Sequence, residues 1–293
     1  MKDLYDSLTI TMVLYEESFS LISKCLDKIK NFKIIIIDNA GDVELKKKIQ
    51  DEYLIFKYLL NDKNLGFSKA INQGIKLCNT EFILNLEADC LIDEDNIYKL
   101  YKAINLYPDC VITTPTMIND KNELTPSGGA LMEKNLGYEA LKLEGDVCVD
   151  FPMPAAILFR KKEMVDLGLF DEDLFIFFPD CEIGRRIQKN RKSTIQIFDS
   201  IAIHTMGTLK IKNKFKNIFF RNYYFTLDGL IYYFKENLHT PHLKKLKKKI
   251  PNYIFKSILN ILIMNLGKSV QFISMILAYY NFKKKYLNKS KII

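Results

Sequence analysis

Four consecutive isoleucines, Ile34-Ile35-Ile36-Ile37, run directly into Asp38 and Asn39. β-branched side chains with no polar alternation suit a strand covered on both faces, the situation of a strand inside a parallel sheet. Such a strand needs helices on either side, and the flanking sequence supplies them. Leu8 to Tyr15 predicts a first strand, and Phe19, Ile22, Leu26 and Ile29 fall at helical spacing. A charged helix is expected over Val43 to Tyr53, then a short strand at Phe56 to Leu60. After Asn64-Leu65-Gly66, the residues Phe67, Ala70, Ile71, Gly74 and Ile75 share one helical face, and Phe82 to Leu86 predicts a buried strand. This alternation predicts an α/β fold with a doubly wound sheet.

Further along, Asp93 is placed to cap a helix through Leu106, and Val111 to Pro115 predicts another strand. Residues 119–150 are loop-rich, with Ser127-Gly128-Gly129 allowing close backbone approach. Val149 to Arg160 is strand-like but interrupted by Pro152 and Pro154. A helix from Lys161 to Leu167 should stop at Gly168, another should run from about Asp180 to Asn190, and Thr194 to Phe198 predicts a late strand.

The chemistry is concentrated in acids at strand ends. Glu87-Ala88-Asp89 follows the strand Phe82–Leu86, and alternation along an extended chain lets both carboxylates point one way. In open α/β sheets ligands bind beyond the carboxyl ends of strands. Two carboxylates there can hold Mg²⁺ or Mn²⁺ against a nucleotide's phosphates, although a solvated acidic turn fits the triplet alone equally well. Asp38 ends the second strand, where it is either a turn-former or a contact for base or ribose. Asn64 and Gly66 suit a helix start, which also offers N–H groups to anions. In Pro179-Asp180-Cys181-Glu182, acids in a first helical turn account for Glu182. They leave Asp180, delivered by the apolar run Phe175–Phe178, as a candidate base. His204 closes Ile201-Ala202-Ile203 and is either structural or a third metal ligand.

The net charge is +8, but residues 81–182 are acid-rich and the stretch after Lys210 is strongly basic. This asymmetry suggests an acidic site and an anionic surface partner. Six scattered cysteines, without CxxC or zinc spacing, read as reduced thiols. Met1 to Asp6 lacks a basic segment followed by an apolar core, so no signal peptide and a cytoplasmic location are expected. Residues 1–210 and 211–293 are expected to form a catalytic domain and a helical region. Ile258 to Tyr280 is apolar but interrupted by Lys268 and several amides. It suits a helix lying on an anionic inner leaflet, or a helical hairpin packed on the domain or in a homodimer, better than a membrane span.

In order along the chain, these segments resemble family 2 glycosyltransferases of the GT-A fold, rhamnosyltransferase-like branch, over residues 8–225. The carrying segments are Ile34 to Ala40, Asn64 to Gly74, Leu84 to Asp89 and Gly168 to Glu172. Asp180 to Arg186, His204 and Arg221-Asn222 complete them. The resemblance implies a Rossmann-like, mostly parallel sheet flanked by helices, with the basic and apolar helical region as a carboxyl-terminal extension. It implies that Asp38 contacts base or ribose, that Asn64 and Gly66 form the loop approaching the nucleotide, and that Glu87 lies at the donor. It further implies that Asp89, with Glu87 and His204, holds a divalent cation (Mg or Mn), that Asp180 is the base, and that Arg186 and Glu182 support it. Three residues depart from the branch's pattern: Glu87 for Asn-Pro or Asp, Pro179 for an acid, and Glu16 for Asn.

The implied activity is metal-dependent, inverting transfer of a hexose or deoxyhexose from a nucleotide-sugar to a glycan hydroxyl in cell-surface polysaccharide assembly. A lipid-linked acceptor would fit membrane association. The alternative is a catalytically degenerate relative that binds a nucleotide or glycan. A nucleotidyltransferase would want a Gly-rich loop where Leu14-Tyr15-Glu16-Glu17 stands. No nucleic-acid-binding module accompanies the basic tail.

Overall fold

The structure, a computed structural model, describes residues 2–129, 144–205, 213–236 and 239–287. The chain divides into two compact units, Met1–Asp171 with Pro179–Leu209, and Glu172–Phe178 with Lys210–Ile293.

The first unit begins with α1 (Lys2–Ser7), a short helix that the sequence pattern does not announce, and β1 (Leu8–Leu14). Then come α2 (Phe19–Ile29), β2 (Lys33–Asp38), α3 (Val43–Glu52), β3 (Lys57–Leu60), α4 (Phe67–Leu77) and β4 (Phe82–Leu86). Strands β1 to β4 pair in parallel, in the order β3-β2-β1-β4. The isoleucine run behaves as its composition demands. Ile34 and Ile36 enter the core on one face of the sheet, and Ile35 and Ile37 enter the core on the other. Ser18 and Asp42 cap α2 and α3 by accepting from Leu21 N and Leu45 N.

The chain then turns through β5 (Cys90–Leu91) into α5 (Glu94–Leu106), which Asp93 caps as expected, and β6 (Cys110–Ile118). Four short strands follow: β7 (Leu124–Thr125), β8 (Gly128–Gly129), β9 (Val147–Val149) and β10 (Phe151–Pro152). Strand β10 ends at Pro152, and Pro154 lies in the break before β11 (Ala156–Arg160), which lies antiparallel between β4 and β6. Helices α6 (Lys161–Asp166) and α7 (Pro179–Lys189) precede β12 (Ser193–His204). The last strand is longer than the expected Thr194–Phe198. Its register against β6 shifts between Ile197 and Ile201, and Asn96 Oδ1 accepts from Ile201 N (2.7 Å) at the irregularity. A bulge at the polar Asp199-Ser200 step therefore lets pairing resume where a sequence pattern reads an end. All six cysteines are free thiols, and only Cys148 is exposed.

The second unit contains α8 (Lys214–Lys235), α9 (His239–Leu262), α10 (Leu266–Phe282) and a π-helical turn, Lys283–Leu287. The apolar stretch 258–280 is thus two helices joined by a turn. Among the described residues no helix is long and apolar enough to cross a membrane. The segment 172–178 packs on α8: Phe175 stacks on Tyr224, Phe178 on Tyr232, and Asp173 pairs with Lys235 and Lys285 at 2.8 Å each. Asp228, fully buried on α8, accepts from Ile176 N and Phe177 N, both at 2.9 Å.

Burial pushes the Asp228 carboxyl up to about 6, against the backbone donors that favour its ionised form. Its folded pKa lies above its unfolded value, so the stability it contributes is greatest below about pH 4 and is lost as pH rises through about 6. Asp228→Asn keeps an acceptor for both N–H groups and removes the buried charge. The variant should melt above wild type at pH 8, by the equivalent of about 2–3 kcal/mol, and level with it near pH 4. Melting curves across that range check this.

Candidate active site

The two acids of Glu87-Ala88-Asp89 come together through a turn. Strand β4 ends at Leu86, Glu87 N donates to Ala155 O (2.9 Å), and Cys90 N closes the turn on Glu87 O (3.0 Å). Extended alternation, expected from the sequence, is therefore not what aligns them. The resumed half of β12 lies antiparallel to β5 with His204 opposite Cys90, which brings the imidazole from a distant part of the chain. His204 Nε2 lies 3.5 Å from Asp89 Oδ1 and 3.9 Å from Glu87 Oε2. Nδ1 is buried, so Nε2 is the nitrogen presented to the acids. Thr205 donates to the Asp89 carbonyl through N (3.1 Å) and Oγ1 (3.2 Å), fastening the strand end to the turn.

One ligand atom from each of Glu87, Asp89 and His204 lies within 4.8 Å of the others. Two carboxylate oxygens and an imidazole nitrogen at that separation fit an octahedral divalent ion with bonds of about 2.0–2.3 Å. The electrostatics agree. Burial and the charge of Asp89 push the Glu87 carboxyl up to about 7, with Glu17 and Asp180 raising it further and His204 opposing. Burial lowers His204, but its hydrogen bond to Asp89 and the charges of Glu87 and Asp89 leave it raised overall. The acids oppose one another's ionisation, a penalty that a bound cation removes.

Glu17 is a further acid, acting on Glu87 through its charge, that motif reasoning passes over. It sits just beyond β1, accepts from Tyr15 N, and is pushed up to about 7, chiefly by burial, with Asp89 and Asp38 adding to the rise. The backbone at Glu16 has φ +65, a left-handed turn that suits the Asn usual in the resembling branch better than Glu. A carboxylate following a central parallel strand was the available signal.

Asp38 is 1% exposed, and its oxygens accept from Ala40 N (2.8 Å), Gly41 N (3.0 Å), Asp42 N (3.3 Å) and Tyr58 Oη (3.0 Å). Its carboxylate organises the loop between β2 and α3, the turn-forming alternative. Asn64 Oδ1 accepts from Gly66 N (2.9 Å), and Gly66, at φ +84, starts α4 in a conformation that a side chain would strain. Asn39 ties the two loops by donating to Gly66 O (3.2 Å) and accepting from Asn61 Nδ2 (2.9 Å).

Asp180 occupies the first turn of α7, after the buried Pro179, and is partly exposed. Its charge is among those felt at Glu87, which puts it within electrostatic range of the cluster. Helix α7 lies so close to β10 that a Cβ on Gly184 would stand 2.2 Å from Asp150 O. Glu182 receives a two-pronged bond from Arg186, Nε to Oε1 and Nη2 to Oε2, each 2.6 Å. Arg186 also donates to Leu167 O, and to Leu169 O at 2.5 Å. The expected support is thus an anchor between α7 and the end of α6. Arg186→Ala would take the guanidinium fork from Glu182, 7% exposed, and its donors from the Leu167 and Leu169 carbonyls. A loss of about 2–4 kcal/mol in urea unfolding is expected, with Arg186→Lys restoring only part because ammonium cannot form the fork.

The sequence profile described as Glycosyl transferase family 2 matches residues 9–164. Poly-beta-1,6-N-acetyl-D-glucosamine synthase of Staphylococcus aureus is 25% identical over 190 residues, 59% of this chain and 44% of that protein. The synthase of Staphylococcus epidermidis is 26% identical over 154 residues, 48% and 36% of the two chains. The chain therefore spans less than half the length of these curated relatives. Among solved structures, GalNAc-T7 with UDP, GalNAc and Mn²⁺ superimposes with TM-score 0.57 at 14% identity, over 78% of this chain and 51% of that one. The mannosyltransferase PcManGT of Pyrobaculum calidifontis, with GDP-Man and Mn²⁺, gives 0.55 at 12% identity over 94% and 86%. S. aureus TarS 1-349 gives 0.54 at 12% identity over 95% and 91%. At these identities the structural likeness establishes the fold, a mixed α/β GT-A arrangement with a helical carboxyl-terminal region.

Proposed function

The chain belongs to glycosyl transferase family 2, and on that premise we propose that it is an inverting glycosyltransferase acting at the Glu87–Asp89–His204 cluster with Asp180 as base. The observation that carries this reading is the convergence of two carboxylates from the β4–β5 turn and an imidazole from the end of β12.

The donor is a nucleotide-diphosphate hexose or deoxyhexose, the latter being what membership of the rhamnosyltransferase-like branch would mean. A divalent ion, Mg²⁺ or Mn²⁺, held by Asp89 with Glu87 and His204, would supply Lewis-acid neutralisation of the departing diphosphate. Asp180 takes the proton of the acceptor hydroxyl as its oxygen attacks the anomeric carbon. The bond from that carbon to the diphosphate oxygen breaks on the opposite face, so the configuration inverts. No covalent intermediate is required. The loops held by Asp38, Asn39 and Asn64 line the nucleotide side, with Gly66 opening the amino terminus of α4 toward it. Arg186 and Glu182 act through α7, by holding the helix that carries Asp180.

The acceptor is a glycan hydroxyl in cell-surface polysaccharide assembly, lipid-linked, used on the inner face of the cytoplasmic membrane. Residues 1–210 are the catalytic domain in this reading, and 211–293 serve attachment. A panel of nucleotide-sugars, including UDP-N-acetylglucosamine, tests the reading by thermal shift with and without Mn²⁺. One donor should raise the melting temperature in a cation-dependent way and be turned over with an acceptor glycan. Binding without any turnover would favour the degenerate relative, and no binding by any member would overturn the reading.

A further inference from the structure

Glu236 is the last acidic residue of the chain; the 57 residues after it carry twelve lysines and no aspartate or glutamate. The remainder is net acidic, 31 basic against 35 acidic residues. Seven of these lysines lie on the hairpin of α9 and α10, which carries no acidic residue. Ser257 and Ser269 close that hairpin, with Oγ atoms 3.0 Å apart, and Tyr253 packs on Phe272 below them. Beyond the serine pair the hairpin turns its apolar residues outward. Leu262, Ile263 and Met264 are 74%, 62% and 85% exposed, and Ile258 and Leu266 are exposed beside them.

The turn itself bears on what covers this tip. Asn265 N donates to Asn260 O (2.8 Å) and Met264 N to Ile261 O (3.0 Å), the two bonds of a Schellman helix ending. Met264 occupies the left-handed position, φ +55, where glycine is most at ease. A methionine there strains the backbone and buries almost nothing within its own unit.

We propose that the α9–α10 turn inserts into the interface of an anionic bilayer, with Leu262, Ile263 and Met264 in the apolar layer and Lys256 and Lys268 at the lipid phosphates. Each of these lysines immediately precedes one serine of the pair. From Ser257 to Met264 the chain advances by about 10 Å at the helical rise, the depth to which interfacial elements reach below the headgroups. The uniform sign of the charge favours anionic lipid over a second copy, because a symmetric contact of this hairpin with itself would set lysine against lysine. This deepens the membrane partner proposed above but stands on the helical unit alone, so its failure would leave the transferase reading intact.

The chain has no tryptophan, so Met264→Trp provides a single fluorophore at the tip. With vesicles of phosphatidylglycerol and phosphatidylcholine its emission should shift to the blue and be quenched by brominated lipid, while Leu54→Trp, at an exposed site in the first unit, should not respond. Met264→Gly should melt no lower than wild type, yet bind the same vesicles about tenfold more weakly, the loss expected for one methionine kept out of an apolar phase. Equal binding to pure phosphatidylcholine, or co-sedimentation without the fluorescence change, would overturn the proposal. A vesicle-free dimer in sedimentation velocity that Met264→Gly dissociates would also overturn it, by giving the tip to a second copy.

Discussion

Asp180→Asn should abolish transfer to the acceptor while leaving the donor complex intact. Asn matches Asp in shape but cannot take a proton, and loss of a positioned base typically lowers the chemical step about 10²- to 10⁴-fold. The substitution sits in the first turn of α7 and removes one charge near a helix amino terminus, so stability should change by only about 0.3–1 kcal/mol. The expected pattern is therefore a collapse of kcat with donor KM and cation-dependent donor binding near wild type. Steady-state kinetics and thermal shift on the same preparation read both. A kcat near wild type would remove Asp180 from its assigned role. Loss of donor binding along with kcat would make it a donor ligand instead.

Asp89→Ala should have the opposite pattern. Of the two candidate acids Asp89 lies nearer His204, 3.5 Å against 3.9 Å for Glu87, and its side chain is 14% exposed against 36%. Without it the cation should lose its hold, and with it cation-dependent donor stabilisation. Several kilocalories of leaving-group stabilisation would go too, a fall in kcat/KM of roughly 10³-fold. The metal-free variant should melt no lower than wild type, because a like charge has been taken from beside Glu87. A pH effect follows in the parent protein. Glu17 and Glu87, both pushed up to about 7, have folded pKa values above their unfolded ones. The stability these two carboxyls contribute without metal should be greatest below about pH 4.3 and be lost as pH rises through about 7. Cation and protons compete for Glu87, so the melting shift given by Mn²⁺ should be larger at pH 8 than at pH 6. An equal shift at both, or one that survives Asp89→Ala, would place the cation elsewhere.

Local signals in the sequence carried much of the fold. Ile34–Ile37 demanded a strand covered on both faces, Asp93 announced α5, and Pro152 and Pro154 marked a break that the structure shows between β10 and β11. What was not legible depends on contacts distant in sequence. Nothing local to Asp199-Ser200 says that β12 resumes pairing beyond them, yet that resumption is what brings His204 to Asp89. Asp38 has the same sequence context whether its oxygens face a ligand or four internal donors; Tyr58, on the neighbouring strand, is one of those donors. The break at Met264 was hidden because the residue in the left-handed position is not glycine. Glu17 was overlooked because its neighbours Asp38 and Asp89 meet it only once β1, β2 and β4 lie side by side.

Diffraction from crystals grown with the donor identified by the panel and Mn²⁺, recorded at the manganese edge, tests most directly whether one sugar is addressed from both sides. The anomalous peak should fall between Asp89, Glu87 and His204, with the anomeric carbon turned toward Asp180 across a gap that admits one hydroxyl oxygen, about 3–3.5 Å from the carbon it attacks. Manganese bound away from Asp89, or an anomeric carbon turned away from Asp180, would contradict the assignment.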